Sequence, residues 1–398
     1  MQVDTVVLLG LGANGLGNLR ALARGGIRTV AIDNDPRKPG ARSRYGEKVI
    51  LTHHADIRDA YREALQQLAR RPWPRAPLLL PSNDEAVEVL HADRERLSAS
   101  FRLLVPPAAT VERLSDKLAF DRAARDAGID APRTWLLSDE DRPRNGDWVL
   151  KPRRRYSRSG VRLEAPRLLR SANAPDGWID RLRGEPDEYV LQERIEGDDD
   201  RLEFYGACWQ DGRPVAEFTG AKLRQYPRGS GSTSCARLTR GTEIRELSRR
   251  LLEQLDYEGC ADVEFKRAAD GRYHVIEVNA RTALWHVLGE LAGISLPLVA
   301  CDVASGRPFQ PELPARIGSK WIYLERDLRA ARDRSRAGDP GWSRFWRDLA
   351  GVRRCAVLSL RDPVPFLTSV VRIVARRSER RNRTLAAPTP SAGKASVP

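Results

Sequence analysis

Two strand-like segments near residue 270 constrain the fold of this chain most. The segments ADVEFK and YHVIEVNAR are separated by a turn at Asp270-Gly271, which predicts an antiparallel hairpin. Residues two apart share a face of a strand, so Asn279 lies beside Glu277, and Glu264 lies on the facing strand. Such carboxylate and amide oxygens suit a Mg²⁺ ion that holds nucleotide phosphates. An ordinary solvated sheet face is the alternative, but repulsion among the acceptors favours a cation.

The N-terminal part alternates between strands and helices. Residues 3–9, the segment ending at Asp33 and the run APLLLPSND each predict a buried strand, with helical stretches between them. This alternation indicates a parallel α/β unit over about residues 1–105. Ligands often bind where such strands end, which makes candidate substrate contacts of Ser82, Asn83 and Asp84.

A glycine-rich turn follows the first strand. It reads Gly10-x-Gly12-x-x-Gly15-x-Gly17, and Asp33 ends the second strand. The pattern suits a pyrophosphate at a helix start and an acid on a ribose hydroxyl, as in NAD and FAD enzymes. Many α/β domains use the same glycines only for a tight turn and close helix packing. A nicotinamide- or flavin-dependent oxidoreductase is therefore an alternative function.

Lysines are informative because only eight of the 68 basic residues are lysine. Three lie near segments that would surround a nucleotide: Lys117 opens a helix, Lys151 ends a strand, and Lys222 follows a third segment. An ammonium group is a common phosphate ligand. A surface lysine is the plain interpretation of each one alone.

Two further segments fit the rest of a nucleotide. The basic loop RRRYSRSG can close over phosphates through backbone N–H groups and hydroxyls, with Ser157, Ser159 and Gly160 as candidates. In QERIEGDDD, the main chain around Glu193 and Ile195 can meet adenine, and Asp199 can meet ribose hydroxyls. Solvated charged loops are the alternative in both places.

Charge and cysteine content limit the class of protein. The net charge is +14, of which +6 lies from residue 361 onward. No zinc finger or aromatic RNA-binding signature accompanies this charge, so nucleic acid is a less favoured partner. The five cysteines form no CxxC pair, and the N-terminus lacks the basic region and cleavage site of a secretory signal, which favours a cytoplasmic location. No apolar run is long enough to predict a spanning helix.

The C-terminal segment has a short apolar face followed by arginines. The face comprises Phe366, Leu367, Val370, Val371 and Val374. It predicts either a helix that caps the protein body or a peripheral contact with an anionic membrane.

Five segments, in their order along the chain, resemble those of the ATP-grasp superfamily of carboxylate–amine ligases. They are DK at 116–117, VLKP at 149–152, QERIEGDD at 192–199, AKLRQYPRGSGSTSC at 221–235 and EFK…DG…EVNAR at 264–281. The fourth looks like the D-aspartate ligase-like and carbamoyl-phosphate-synthase-like branches. The resemblance covers about residues 1–310, although the basic loop is less glycine-rich than is usual in the family.

The resemblance implies an α/β and α+β fold: an N-terminal parallel α/β (pre-ATP-grasp) domain followed by a two-lobed ATP-grasp fold, with a helical C-terminal extension. The expected divisions are residues 1–110 for the pre-ATP-grasp domain, 111–192 for the small lobe, 193–310 for the large lobe, 311–378 for the extension and 379–398 for a disordered tail.

The same resemblance implies roles for the candidate residues. Lys117 and Lys151 would bind ATP phosphates under the loop of Ser157, Ser159 and Gly160, with Glu193 and Ile195 at adenine and Asp199 at ribose. Mg²⁺ (or Mn²⁺) would be held by Glu264, Glu277 and Asn279. The transferred phosphoryl group would be stabilised by Lys222, Arg224 and Arg281. His286, which follows the metal strand, is a further candidate for the substrate pocket.

The implied reaction is a ligation in two steps. A substrate carboxylate attacks the γ-phosphorus of ATP, and an amine then attacks the acyl phosphate, so the protein supplies mainly positioning and charge neutralisation. The expected partners are a small-molecule carboxylate and an amine, and an amino acid is one candidate for the amine. Whether the chain forms a homo-oligomer is left open. A non-catalytic anion-binding protein is a third alternative.

Overall fold

A five-stranded parallel sheet occupies the first part of the chain in this computed structural model, which describes residues 2–143, 145–156, 167–169, 185–229, 231–311 and 315–372. The sheet order is β3-β2-β1-β4-β5. Its strands are β1 Thr5–Leu9, β2 Arg28–Asp33, β3 Glu47–Ile50, β4 Leu78–Pro81 and β5 Arg102–Leu103, and its helices are α1 Ala13–Arg24, α2 Ile57–Ala69, α3 Asp84–Ala92 and α4 Arg94–Ser98. The predicted loop residues Ser157, Ser159 and Gly160 and the tail 379–398 lie outside the described residues.

The two faces of this sheet pack against different parts of the molecule. Val7 and Leu9 point toward α2 and α3, whereas Val6 and Leu8 point toward α1 and a core shared with the rest of the chain. Side chains alternate between faces along a strand, so continuous apolar runs are what a sheet covered on both sides requires. The predicted parallel α/β unit is confirmed.

A smaller antiparallel sheet follows two short helices. The helices are α5 Ala108–Ser115 and α6 Lys117–Asp126, and the strands are β6 Thr134–Leu136, β7 Trp148–Pro152, β8 Arg167–Leu169 and β9 Tyr189–Glu193, in the order β6-β9-β7-β8. Asp116, rather than the preceding Ser115, caps α6, because its carboxylate accepts from the N–H groups of Leu118 and Ala119. The Ser115 hydroxyl instead donates to the carbonyl of Val111 within α5, at 2.7 Å.

The largest sheet has seven strands in the order β14-β13-β10-β11-β12-β15-β16. They are β10 Leu202–Gln210, β11 Arg213–Tyr226, β12 Ser232–Thr239, β13 Gly259–Arg267, β14 Tyr273–Asn279, β15 Lys320–Ile322 and β16 Val352–Cys355. Helices α7 Thr242–Gln254 and α8 Leu296–Ala304 accompany it. The hairpin β13–β14 pairs Glu264 with Glu277 across the two strands, as the sequence predicted.

The C-terminal extension contributes strands as well as the expected helices. Helices α9 Leu324–Arg336 and α10 Gly341–Leu349 lie between β15 and β16, and residues 364–372 are helical. Because β15 pairs with β12 and β16 pairs with β15, the extension completes the edge of the large sheet. It is therefore an integral part of the fold.

The parallel sheet contacts the large sheet through α1. The Asn14 amide donates to the carbonyls of Ser82 and Thr282, and Gly17 lies so close to His286 that a side chain there would meet its ring at 2.7 Å. Among the described residues, no single helix is long and apolar enough to cross a membrane, and only the bent pair His286–Ala292 and Leu296–Ala304, taken together, passes that test.

Candidate active site

A cavity of about 690 Å³ lies between the small antiparallel sheet and the large sheet. Its described lining includes six of the residues predicted from the sequence: Lys151, Glu193, Ile195, Lys222, Glu264 and Glu277. A second cavity of about the same volume is lined by Glu217, Arg240 and Ile317 and contains none of the candidate residues. The first cavity is therefore the site to which the sequence motifs converge.

The acidic face of the β13–β14 hairpin forms one wall of this cavity. The Asn279 amide donates to Glu277 Oε1 and to Asp262 Oδ2, each at 3.2 Å. Glu264 faces Glu277 across the hairpin and accepts from Lys222 Nζ at 2.6 Å. The predicted acids and amide are thus brought together.

Asp262 is a residue that the sequence prediction missed. It lies two residues before Glu264 on the same strand face and pairs with Asn279 in the register, so the alternation already indicated it. Burial, followed by repulsion from Glu264, raises the pKa of Asp262 well above its usual range. Its Oδ1 is buried and has no hydrogen-bond partner in the described part of the chain.

A divalent cation fits this donor set. Two carboxylates face each other, and the buried, unsatisfied oxygen of Asp262 is a group that a cation would satisfy. Asn279 now turns its NH₂ to the acids and its oxygen to Arg281 Nη2, at 3.1 Å. Half a turn of this amide about its last bond would present the oxygen to a cation within the same volume.

Lysines face the acids across the cavity. Lys151 Nζ donates to Gln192 Oε1 at 2.6 Å, and the Gln192 amide donates in turn to Thr134 Oγ1 at 3.1 Å. Burial lowers the pKa of Lys151 to about 8, and the charge of Lys117 contributes to that shift. Burial alone would raise the pKa of Glu277, but Lys151 and Lys222 outweigh it and hold that pKa below its usual value.

Lys117 sits where three parts of the fold meet. Its backbone N–H donates to the carbonyl of Arg153 at 3.1 Å, which ties the start of α6 to the end of β7. Burial lowers the pKa of the Lys117 ammonium, while Glu277 and Asp84 oppose that shift. The lysine therefore links the hairpin electrostatically with the edge of the parallel sheet.

Apolar side chains from both sheets form part of the cavity wall. Val149 and Leu168 come from the small sheet, and Leu202 and Ile276 come from the large sheet. The segment of Glu193 and Ile195 lies beside them. An aromatic base would fit between such side chains. Ile276 could be identified from the sequence as the neighbour of Glu277, whereas Val149 and Leu202 become partners only through the fold.

Arg281 meets Asp84 at the junction with the parallel sheet. Arg281 Nε donates to Asp84 Oδ1 at 2.5 Å, and Arg155 donates to the other oxygen of Asp84 and to Glu85 Oε1, the latter at 3.2 Å. Burial opposes ionisation of Asp84, but Arg281 and Arg155 outweigh it and lower the pKa to about 2. Arg155, which belongs to the basic loop RRRYSRSG, was not singled out from the sequence.

Arg224 does not lie at the cavity, contrary to its predicted role. Its Nε and Nη2 donate to the two oxygens of Asp327 at 2.9 and 2.8 Å, and Nη1 donates to Asp348 at 2.5 Å. Strand β11 is irregular between Lys222 and Arg224, and a bulge of this kind redirects a side chain. Lys222 therefore faces Glu264, while Arg224 is buried against α9 and α10.

Asp199 is also turned away from the place predicted for ribose. It is 1% exposed, accepts from the backbone N–H groups of Gln225 at 3.2 Å and Gly229 at 3.1 Å, and pairs with Arg334 Nη2 at 2.6 Å. Its neighbour Asp198 lines the cavity instead. The acid that borders the cavity is therefore shifted by one position, and both of its oxygens accept from Arg228 and Arg334.

Three of the predicted substrate contacts are either hydrogen-bonded within the protein or buried in it. The Ser82 hydroxyl lies 2.8 Å from the carbonyls of both Leu9 and Gly10, and Asn83 accepts from Ala86 N–H as the N-cap of α3. His286 is 1% exposed against α1, and burial lowers its pKa to about 3. Only Asp84 of the predicted set reaches the junction with Arg281.

The glycine-rich turn is likewise occupied by the protein. Asp33 is fully buried and accepts from the backbone N–H groups of Leu11 at 2.7 Å, Asn34 at 2.8 Å and Asp35 at 3.0 Å. A side chain at Gly15 would meet the Gly10 carbonyl at 1.9 Å. The motif thus serves close packing, and its acid is not presented to a ribose.

Comparison with known proteins gives a partial sequence match and an extensive structural one. Residues 237–311 match the family described as carbamoyl-phosphate synthase L chain, ATP binding domain. No curated protein matches the chain by sequence.

Several solved structures share the fold at low identity. The biotin carboxylase domain dimer of Hydrogenobacter thermophilus 2-oxoglutarate carboxylase, in complex with MgADP, ADP and bicarbonate, has a TM-score of 0.62 at 17% identity, over 80% of this chain and 74% of that one. Biotin carboxylase from Campylobacter jejuni, as its β-γ-ATP complex, has 0.60 at 14%, over 80% and 74%. N5-carboxyaminoimidazole ribonucleotide synthetase from Thermus thermophilus has 0.59 at 18%, over 79% and 81%.

Proposed function

We propose that this chain, which has the ATP-grasp fold, is an ATP- and Mg²⁺-dependent ligase that activates a carboxylate as an acyl phosphate and couples it to an amine. The observation that carries the proposal is the cavity in which Glu264 and Glu277 face Lys151 and Lys222 beneath apolar walls. Hard oxygen donors, phosphate-binding cations and a slot for a base then occur in one place.

The nucleotide would lie along this cavity. Its base would sit between the walls of Val149 and Ile276, beside the main chain of Glu193 and Ile195. Its phosphates would meet Lys151, with Lys117 behind it, while Glu264, Glu277 and the turned Asn279 would hold Mg²⁺. When bound, that ion would neutralise charge on the phosphates.

The protein's own residues would then act by position and charge. One oxygen of the substrate carboxylate attacks the γ-phosphorus, the bond to the β-phosphate oxygen breaks, and ADP leaves. The amine next attacks the carbonyl carbon of the acyl phosphate, inorganic phosphate leaves, and the amine loses a proton. Arg281 lies at the junction at which a carboxylate would enter, so we assign it the developing negative charge.

In this structure the side chain of Asp84 occupies the place that we propose for the substrate carboxylate. It holds the guanidinium groups of Arg281 and Arg155 at the edge of the parallel sheet. A substrate carboxylate can replace Asp84 at these two arginines, because a planar guanidinium group can donate two parallel hydrogen bonds to any carboxylate. This supports a small carboxylic acid as the first substrate, with an amine, including that of an amino acid, as the second.

The test is ADP release with Mg²⁺ and a panel of amino and uronic acids. We expect Glu277→Gln to lower kcat by at least about 100-fold. The substitution removes a proposed carboxylate ligand of Mg²⁺, and that ion would neutralise the negative charge on the phosphates. Glu253→Gln makes the same chemical change at an exposed position of α7 and should leave the rate unaltered. Equal rates in the wild type and Glu277→Gln, with any acid of the panel, would refute the proposal.

The oxidoreductase alternative is not favoured, because Asp33 is already engaged by backbone hydrogen bonds.

A cytoplasmic location and a homo-oligomer remain part of the proposal. So does peripheral contact with a membrane, which two exposed apolar faces support. Trp342, Trp346 and Leu349 lie along α10, and Leu367, Val370 and Val371 lie along helix 364–372.

A further inference from the structure

Two consecutive histidines and a glutamate meet outside the proposed ligase site. His53 and His54 follow β3, and Glu63 lies in α2. Their Nε2 atoms lie 2.9 and 2.6 Å from the same oxygen, Glu63 Oε2, and the two imidazole rings are 4.3 Å apart. One candidate ligand atom from each residue therefore falls within 4.8 Å of the others.

The surrounding contacts hold this arrangement in place. The second oxygen of Glu63 accepts from Gln67 Nε2 at 2.9 Å, one turn further along α2. The Asn34 amide donates to the carbonyls of His54 at 3.0 Å and Ala55 at 3.3 Å, which anchors the histidine loop to the end of β2. Such outer hydrogen bonds orient the ligands of metal sites.

We propose that His53, His54 and Glu63 form a zinc-binding site. Imidazole nitrogen and carboxylate oxygen are the ligands of zinc sites with three protein ligands, which keep a fourth position for water. The side chains are 60%, 25% and 34% exposed, so one side of the cluster is open to solvent and can supply that water. Two imidazoles disfavour Mg²⁺, which takes oxygen ligands.

Bound zinc would brace the parallel sheet. It would join the loop after β3 to α2, two segments that these side chains now connect only through half-exposed contacts with one carboxylate. Since an unfolded chain lacks the preformed cluster, binding would stabilise the folded state. The site is separate from the proposed ligase cavity and does not depend on that function.

The experiment is calorimetric titration of untagged, metal-free full-length protein with ZnCl₂, and in parallel with MgCl₂. We expect one zinc per chain at this cluster, with affinity reduced at least about tenfold in His54→Ala and in Glu63→Gln. His91→Ala is the matched control, because His91 lies 3.8 Å from Glu112 and belongs to no such cluster among the described residues, and it should bind zinc like the wild type. Zinc should also raise Tm in the wild type but not in His53→Ala/His54→Ala.

Absence of zinc binding, or binding that all these variants share, would overturn the assignment. Binding of Co²⁺ to the wild-type protein provides a second test, which does not require any variant to fold. Visible absorption bands of four-coordinate cobalt with nitrogen and oxygen ligands would support the site, and the spectrum of the hexaaqua ion alone would refute it. Neither result bears on ADP release, so the two proposals fail separately.

Discussion

Lys151 lies where its own environment weakens its charge. Burial and the neighbouring Lys117 lower its pKa to about 8, while its ammonium is kept in place by Gln192. Such a group is charged below its pKa and loses its proton as the pH rises through that value. If it binds a phosphate in its charged form, as we propose, nucleotide affinity must follow that titration.

We therefore expect the KM for ATP to increase with pH once the pH exceeds the pKa of Lys151, which is about 8. The increase should be up to about tenfold per pH unit, because the free enzyme loses the Lys151 proton. Lys151→Arg keeps its charge and should flatten the profile, even if its KM at neutral pH is higher. Initial rates at several ATP concentrations, from neutral to alkaline pH, measure both. Parallel profiles for the two proteins would contradict the assignment of the lysine.

Individual residues also show how far the sequence could predict the site. Alternation along a strand was enough to bring Glu264, Glu277 and Asn279 together, because the pairing of β13 with β14 keeps a regular register from Asn279 to Glu277 and becomes irregular only beyond that pair. Arg224 was assigned to the wrong place, since an irregularity in β11 has no signature in the residues around it. Asp199 was misplaced because its partner Arg334 lies 135 residues further along the chain.

At the scale of elements, helix α9 supports the wall of the cavity. Arg334 is 3% exposed and pairs with both oxygens of Asp198 at 2.9 and 3.1 Å, as well as with Asp199. Asp198 lines the cavity, and Asp199 holds the backbone at Gln225 and Gly229. One side chain from the extension thus fixes two loops around the proposed nucleotide site. This link could not be predicted from the residues, because the extension has only weak local patterns.

Arg334→Met should raise the KM for ATP severalfold and lower the free energy of unfolding by about 3–5 kcal/mol, because it removes the cation that pairs with the buried carboxylate of Asp199. Arg332→Met, at a more exposed position of the same helix, is the control. Steady-state kinetics and urea unfolding give the two quantities. If stability falls while the KM stays at the wild-type value, Arg334 has no positioning role. Arg334→Lys should restore part of both effects.

At the scale of the whole molecule, the C-terminal segment is bound to the first domain at one end and exposed along its length. Asp362 is 1% exposed and accepts from Arg20 Nε at 3.0 Å, from Ser43 Oγ at 2.8 Å and from Arg44 N–H at 3.0 Å. Phe366 packs against the core, whereas Leu367 and Val371 are 56% and 66% exposed. The capping prediction and the membrane prediction therefore concern opposite faces of one helix.

We expect the protein to co-sediment with vesicles that contain anionic lipid, and less at high salt, because its net charge is +14. Trp342→Ala/Trp346→Ala should reduce the bound fraction severalfold, since interfacial helices insert such side chains. Ile317→Ala removes an exposed apolar group outside both helices and should have no effect. Equal binding of the double variant and the wild type would exclude α10 from the contact.

The bond between Arg20 and Asp362 spans 342 positions. At about 5–20 residues per second, a ribosome needs roughly 20 to 70 seconds to add the second partner after the first. During that interval the opening strands have emerged, while the guanidinium that follows them still lacks its carboxylate. The first domain therefore lacks this ion pair during that interval, and it reaches its final state only after Asp362 has been added.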